Sequence, residues 1–145
     1  MLYNTDFSIN LRPHGVPYIT YGIDNNVAST GLEITVPITL KFNLDLDAGP
    51  HKLFIDFYNK TNDTPECALE IESVEFEGMT LDRFKWSSRY YPQYPEPWAS
   101  EQTEPLPKFH ESATYLGWNG RWELNFETPI FTWIHRLENL GWIYN

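Results

Sequence analysis

Apolar residues occupy every even position in Leu32-Glu-Ile-Thr-Val-Pro-Ile-Thr-Leu-Lys-Phe-Asn-Leu-Asp-Leu46. A period of two across eight apolar positions describes a β-strand with one buried face. Pro37 falls on the polar-facing set and has no N–H to give a neighbour, so this strand is an edge, is bulged there, or is split into two. After a turn at Asp47-Ala-Gly-Pro50, His51-Lys-Leu-Phe-Ile-Asp-Phe-Tyr58 predicts a second strand with Leu53, Ile55 and Phe57 inward. The polar loop Asn59-Lys-Thr-Asn-Asp-Thr-Pro65 leads to a third strand or pair, Ala68-Leu-Glu-Ile-Glu-Ser-Val-Glu-Phe76. Its apolar set changes parity between Ile71 and Val74, which predicts a bulge.

Further along, Thr114-Tyr-Leu-Gly-Trp118 and Arg121-Trp-Glu-Leu-Asn-Phe126 flank Asn119-Gly120. Asn-Gly is the favoured type I′ hairpin turn, because both central residues take positive φ. The period then changes: Ile130, Trp133, Ile134, Leu137 and Leu140 follow the spacing of an amphipathic helix. Thr128 suits its cap, Pro129 its first position and Gly141 its end, and the apolar stripe predicts a helix packed on its own sheet. Many short strands with one terminal helix predict an all-β fold: an antiparallel β-sandwich or jelly roll with a short C-terminal helix. At 145 residues the chain has the size of a single domain, 1–145, with 1–15 as an N-terminal arm.

Against this pattern, Arg89-Tyr-Tyr-Pro-Gln-Tyr-Pro-Glu-Pro-Trp98 stands out, with four aromatics and three prolines in ten residues. It reads as a proline-stiffened loop leaving the sandwich and returning to it. Its rings cover one sheet as a lid, face a partner, or face solvent.

Charge narrows the partners. Twenty acidic residues against ten basic ones give a net charge of −10, which repels phosphate backbones and anionic lipid, so neither nucleic acid nor a membrane is expected as a partner. No basic segment followed by an apolar run opens the chain, and no apolar stretch approaches the ~18 residues of a membrane span, so neither a signal peptide nor an anchor is expected. The lone Cys67 excludes an intramolecular disulfide framework and reads as a small half-buried residue.

Catalytic chemistry finds no foothold. His14, His51, His110 and His135 are scattered without zinc spacing, and no nucleophile elbow, phosphate loop or dinucleotide fingerprint is present. Glu70, Glu72, Glu75 and Glu77 bring carboxylates close, as a glycosidase needs, but this spacing on a strand describes its wet face. The chain therefore reads as non-catalytic.

The block His51-Lys-Leu-Phe-Ile-Asp-Phe-Tyr-Asn59, a polar loop, and Ala68-Leu-Glu-Ile-Glu-Ser-Val-Glu-Phe-Glu-Gly78 resembles the centre of calcium-dependent xylan-binding carbohydrate-binding modules. Gly49-Pro-His51 and Val74-Glu-Phe-Glu-Gly78 match the ends of that pattern. A longer arrangement resembles small accessory proteins of tailed bacteriophages, cyanophages among them. It comprises Tyr58-Asn-Lys60, the Tyr-Tyr-Pro loop, Leu116-Gly-Trp-Asn-Gly-Arg-Trp-Glu-Leu-Asn-Phe126 and Pro129-Ile-Phe-Thr-Trp-Ile-His-Arg-Leu-Glu-Asn-Leu140.

The first resemblance implies calcium at Asn59, Asp63 and Glu66, with Asp56 nearby. However, Lys60 stands where the family has Asp, and Glu66-Cys-Ala-Leu69 replaces its Asp-Arg-Asn-Leu. An ammonium there opposes a hard cation, so the expectation is no cofactor. The second implies a structural accessory of a virion, at the capsid surface as decoration, or at the neck or tail. It would assemble in the host cytoplasm with other virion proteins or itself as partners, through the aromatic loop, the segment before Pro13 and Trp142-Ile-Tyr144. The alternative is a glycan-binding module for host or environmental polysaccharide, with Trp86, Tyr90, Tyr91, Tyr94 or Trp98 presenting ring faces to sugars.

Overall fold

The computed structural model of this protein describes residues 1–80 and 87–137. In chain order these form β1 (Leu2–His14), β2 (Tyr18–Ile23), β3 (Asn26–Glu33), β4 (Ile38–Asp47), β5 (Gly49–Phe57), β6 (Ala68–Phe76), β7 (Met79–Thr80), β8 (Ser88–Pro92), β9 (His110–Glu111), β10 (Tyr115–Leu116), β11 (Gly120–Thr128) and α1 (Ile130–Leu137). One sheet has the order β10-β6-β1-β4, with β7 also on β6. The other has the order β3-β2-β5-β11-β8-β9, and every pairing in both is antiparallel. This is the antiparallel β-sandwich with a short C-terminal helix that the apolar periodicity predicts.

Pro37 does split the long alternating run. β3 ends at Glu33 in the second sheet and β4 starts at Ile38 in the first, so the chain changes sheets where the ladder would lack a donor. Ile34 stays 1% exposed in the crossover but Val36 is 58% exposed, so the apolar period breaks where the backbone changes layer. The bulge in β6 is also present: Asn10 faces Ser73 and Leu11 faces Ile71, leaving Glu72 as the extra residue.

The N-terminal segment is not an arm. β1 lies between β4 and β6, paired on both sides, with Phe7, Ile9 and Leu11 buried. Pro13 is tolerated because the pairing with β4 ends at Leu11, and the last residues of β1 have only β6 beside them. Nor does Asn119-Gly120 turn a hairpin. β10 pairs with β6 in one sheet and β11 with β5 and β8 in the other, so these residues cross between layers. The two-residue turn lies instead at Asp24-Asn25, between β2 and β3, with Asp24 at φ 55°.

The inner faces meet in an aromatic cluster. Phe7 stacks on Phe42 at 4.6 Å and on Phe76 at 5.3 Å, and Trp133 of α1 meets Phe76 edge-on at 5.3 Å. With Ile130 and Ile134 also buried, α1 closes one end of the core rather than presenting its stripe to a partner. Thr128 does not cap the helix; its hydroxyl donates to the Asp47 carbonyl and ties β11 to the β4–β5 turn. Leu140 and Gly141, the expected end of the helix, lie outside the described residues, as does Trp142-Ile-Tyr144. Cys67 is fully buried rather than half-buried, and burial pushes its thiol up. No helix among the described residues is long and apolar enough to cross a membrane.

Candidate functional site

The aromatic stretch begins as a strand, not a loop. β8 lies beside β11, with Tyr90 opposite Trp122 and Tyr91 opposite Arg121, and strand alternation sends the two tyrosines to opposite faces. Tyr90 is 4% exposed in the core, so it presents no ring to a ligand. Its hydroxyl donates to the Trp118 carbonyl and accepts from the Trp118 N–H at 3.0 Å. Burial pushes this phenol up to about 12, so it remains a donor throughout the ordinary pH range.

Tyr91 emerges on the outer face of the second sheet. Its ring lies 5.7 Å from Phe109, and the Arg89 guanidinium covers the same Phe109 at 4.6 Å. Beyond Pro92 the chain does become a loop, and Tyr94 and Trp98 form a separate pair, 6.0 Å apart. Tyr94 is held beside β9 by donating to the Pro107 carbonyl at 2.7 Å, with His110 Nε2 at 3.2 Å, while Trp98 stays 43% exposed. Of the five candidate rings, Tyr91 is thus on the sheet, Tyr94 and Trp98 are beside its edge, and Tyr90 is inside. Trp86 lies outside the described residues.

Around Tyr91 the strand register builds a row that sequence reasoning did not assemble. Tyr91 opposes Arg121, Arg121 opposes Asp56, and Asp56 opposes Thr20, so four side chains from four adjacent strands share one outer face. With strands about 4.8 Å apart, such a row spans about 14 Å, the reach of a short oligosaccharide. Arg121 Nε and Nη2 donate to the two Asp56 oxygens at 2.7 and 2.9 Å, and its guanidinium lies 4.4 Å over the buried Phe54 ring. Thr20, Asp56 and Arg121 of this row open into a cleft of about 470 Å³ that Tyr58 and Gln93 also wall, with Tyr91 next in the row beyond its lining. Tyr58 is 45% exposed there, giving the cleft an aromatic wall beside its polar floor. Alternation alone places Asp56 and Arg121 outward, opposite the inward sets of their strands. Only the long-range register makes them partners.

The outer face of the first sheet has a different character. Its side chains satisfy one another: Asn4 reaches Asn43 and Asp45, Asn10 meets Ser73 and Thr39, and Arg12 pairs with Glu72 at 3.3 Å. The glutamates of β6 lie on this side as a solvated ladder, with Glu70 beside His14 and Glu75 beside Ser8.

The residues matched to a calcium site do not fit the ion. Asn59 Oδ1 accepts from the Tyr18 N–H at 2.7 Å and its Nδ2 donates to the Val16 carbonyl at 2.8 Å, so both ends of the side chain hold backbone. The Lys60 ammonium donates to the Gly117 carbonyl at 2.6 Å and sits 4.4 Å over the Trp118 ring. A fixed positive charge beside a single amide opposes the six to eight oxygens that calcium takes. Asp63 and Glu66 are exposed, and among the described residues no three of His, Cys, Asp and Glu gather as metal ligands.

A second cleft of about 410 Å³ lies against His51, Arg89, Glu111 and Trp133. Trp133 is only 6% exposed, so this cleft offers no comparable ring face. His51 there has Asp24 Oδ2 2.7 Å from Nδ1 and the Asp47 carbonyl 2.7 Å from Nε2. Two acceptors suit a doubly protonated ring. Burial pulls its pKa down, but the Asp47 carbonyl and the Asp24 carboxylate outweigh this and leave it above the ordinary 6.5. Because the folded value is the higher one, the stabilisation is complete below about 6.5 and is lost as pH rises through the raised pKa. Urea denaturation of wild type and His51→Gln should therefore differ most at and below about pH 6 and converge once pH has risen past the raised pKa. A gap that widens with pH would contradict the assignment.

No family model and no characterised protein sequence matches the chain. Among solved structures, its fold is similar to that of "vCBM60 in complex with galactobiose", with a TM-score of 0.52 and 12% sequence identity over 83% of this chain and 98% of that one. The fold is thus that of a carbohydrate-binding-module-like β-sandwich.

Proposed function

We propose that this protein is a non-catalytic glycan-binding module whose ligand lies on the outer face of the second sheet. The observation that carries the reading is the registered row of Tyr91, Arg121, Asp56 and Thr20, whose last three members wall a cleft together with the exposed Tyr58. Sugars present apolar C–H faces and rings of hydroxyls together, and an aromatic wall beside donors and acceptors meets both needs. The solved module with the similar fold is bound to galactobiose, and the sequence resembles xylan-binding modules; both support the reading.

Titration calorimetry with galactobiose and xylo-oligosaccharides tests it. Tyr91→Ala and Arg121→Ala should each weaken binding at least tenfold, about 1.4 kcal/mol, with the Tyr91→Ala thermal midpoint close to wild type. Absence of saturable binding, or binding indifferent to both substitutions, would sink the proposal.

A second reading, a structural accessory of a tailed-phage particle at the capsid, neck or tail, draws support from the sequence resemblance and from Phe131 and Trp98, which stand 62% and 43% exposed. Fixed stoichiometry in a purified particle with no glycan affinity would favour it. The two roles are compatible in a protein that holds a particle to polysaccharide.

A further inference from the structure

We infer that this face selects uncharged glycans and rejects uronate-bearing ones, because its cations are already closed by carboxylates. The inference rests on the glycan-binding reading and names the ligand class of the same face. Recognition of a sugar carboxylate calls for an arginine fork or a lysine free to pair with it. Arg121 directs both Nε and Nη2 to Asp56, and Phe54 closes one face of its guanidinium. Lys52 pairs with Glu123 at 3.3 Å, and Arg89 has Glu111 at 3.9 Å and Phe109 against its plane. Arg121, Lys52 and Arg89 therefore each have an anion beside them. The net charge of −10 adds a longer-range repulsion that salt screens.

What the row leaves available is polar without being charged. Arg121 keeps three N–H donors, Asp56 keeps lone pairs beyond the two bonds, and Thr20 and Gln93 can each donate and accept. Alternating donors and acceptors match the hydroxyls of a neutral sugar, each of which is both. A carboxylate, which only accepts, would instead meet Asp56 in the row.

Affinity electrophoresis and calorimetry with neutral galactan and with polygalacturonate, at low and high salt, test the inference. Wild type should bind galactan and leave polygalacturonate unbound. Asp56→Asn opens the pair and should raise polygalacturonate affinity at least tenfold at low salt, with the gain lost at high salt. Glu111→Gln, at an exposed position safe for folding, should give a smaller gain through Arg89.

Polygalacturonate binding by wild type as tight as galactan binding would overturn the selectivity and leave the glycan reading standing. Galactan binding with no polyuronate gain in either variant would overturn the role of the ion pairs. Failure of wild type to bind any neutral or acidic glycan would remove the underlying reading and this inference with it.

Discussion

Tyr90→Phe should lower the unfolding free energy by about 2–3 kcal/mol while leaving glycan affinity per folded molecule unchanged. The substitution keeps the buried ring and its packing opposite Trp122 and deletes a single oxygen. That oxygen serves both the N–H and the carbonyl of Trp118, in the segment where the chain passes from one sheet to the other. Two half-buried backbone groups lose their partner at once, each costing about 1–3 kcal/mol, with water offsetting part of the loss. In urea the midpoint should fall with the slope preserved, since the folded surface is unchanged. A loss under about 0.5 kcal/mol would show that Trp118 finds other partners. Tyr91→Ala should show the opposite profile, with affinity lost and stability kept. Adjacent tyrosines in the same motif thus separate a structural role from a binding one.

That separation explains what the aromatic stretch could and could not reveal as sequence. Its prolines and rings mark an irregular segment correctly from Gln93 onward, but Ser88–Pro92 pairs as a strand because Pro92 falls at its last position, where the ladder ends. Once a strand is recognised, alternation alone assigns Tyr90 inward and Tyr91 outward. The same rule made β5, β6 and the two halves of the Leu32–Leu46 run legible, since each carries its inward set in its own residues.

β1 carries the same signal in Phe7, Ile9 and Leu11, and was masked by Pro13 and by the polar residues between. Sheet membership is a different kind of information. Whether β11 follows β10 as a hairpin or leaves for the other layer depends on contacts with β5, about seventy positions earlier in sequence. The candidate site inherits that limit. Each member of the row is readable as an exposed polar or aromatic position, but the row exists only through three long-range registers. The resemblance to a calcium site shows a related limit: Asn59 matches by identity, while its side chain serves the backbone of the segment before β2.

Gly120 shows the same contrast at a single residue. As part of Asn-Gly it suggests a turn, where glycine supplies backbone freedom. In the fold it lies within β11 between Phe57 and Pro92, and its missing side chain is what allows β8 to approach. A Cβ built there would lie 2.3 Å from the Tyr91 carbonyl oxygen and 2.9 Å from Pro92 Cα. Both obstacles are backbone, so no rotamer change relieves them and β8 must move away from β11. Gly120→Ala should therefore cost about 3 kcal/mol or more, the upper range for overpacking a filled interior.

It should also weaken glycan binding at least tenfold in whatever remains folded, because the displaced strand carries Tyr91 away from Arg121. Gly117→Ala is the matched control: its Cβ meets only the Tyr115 ring, at 3.5 Å, an ordinary contact that predicts near-native behaviour. Thermal melts and calorimetry on the two variants decide the matter. Wild-type stability in Gly120→Ala would refute the close approach of β8, whereas stability lost with affinity intact would place the glycan elsewhere than on the row.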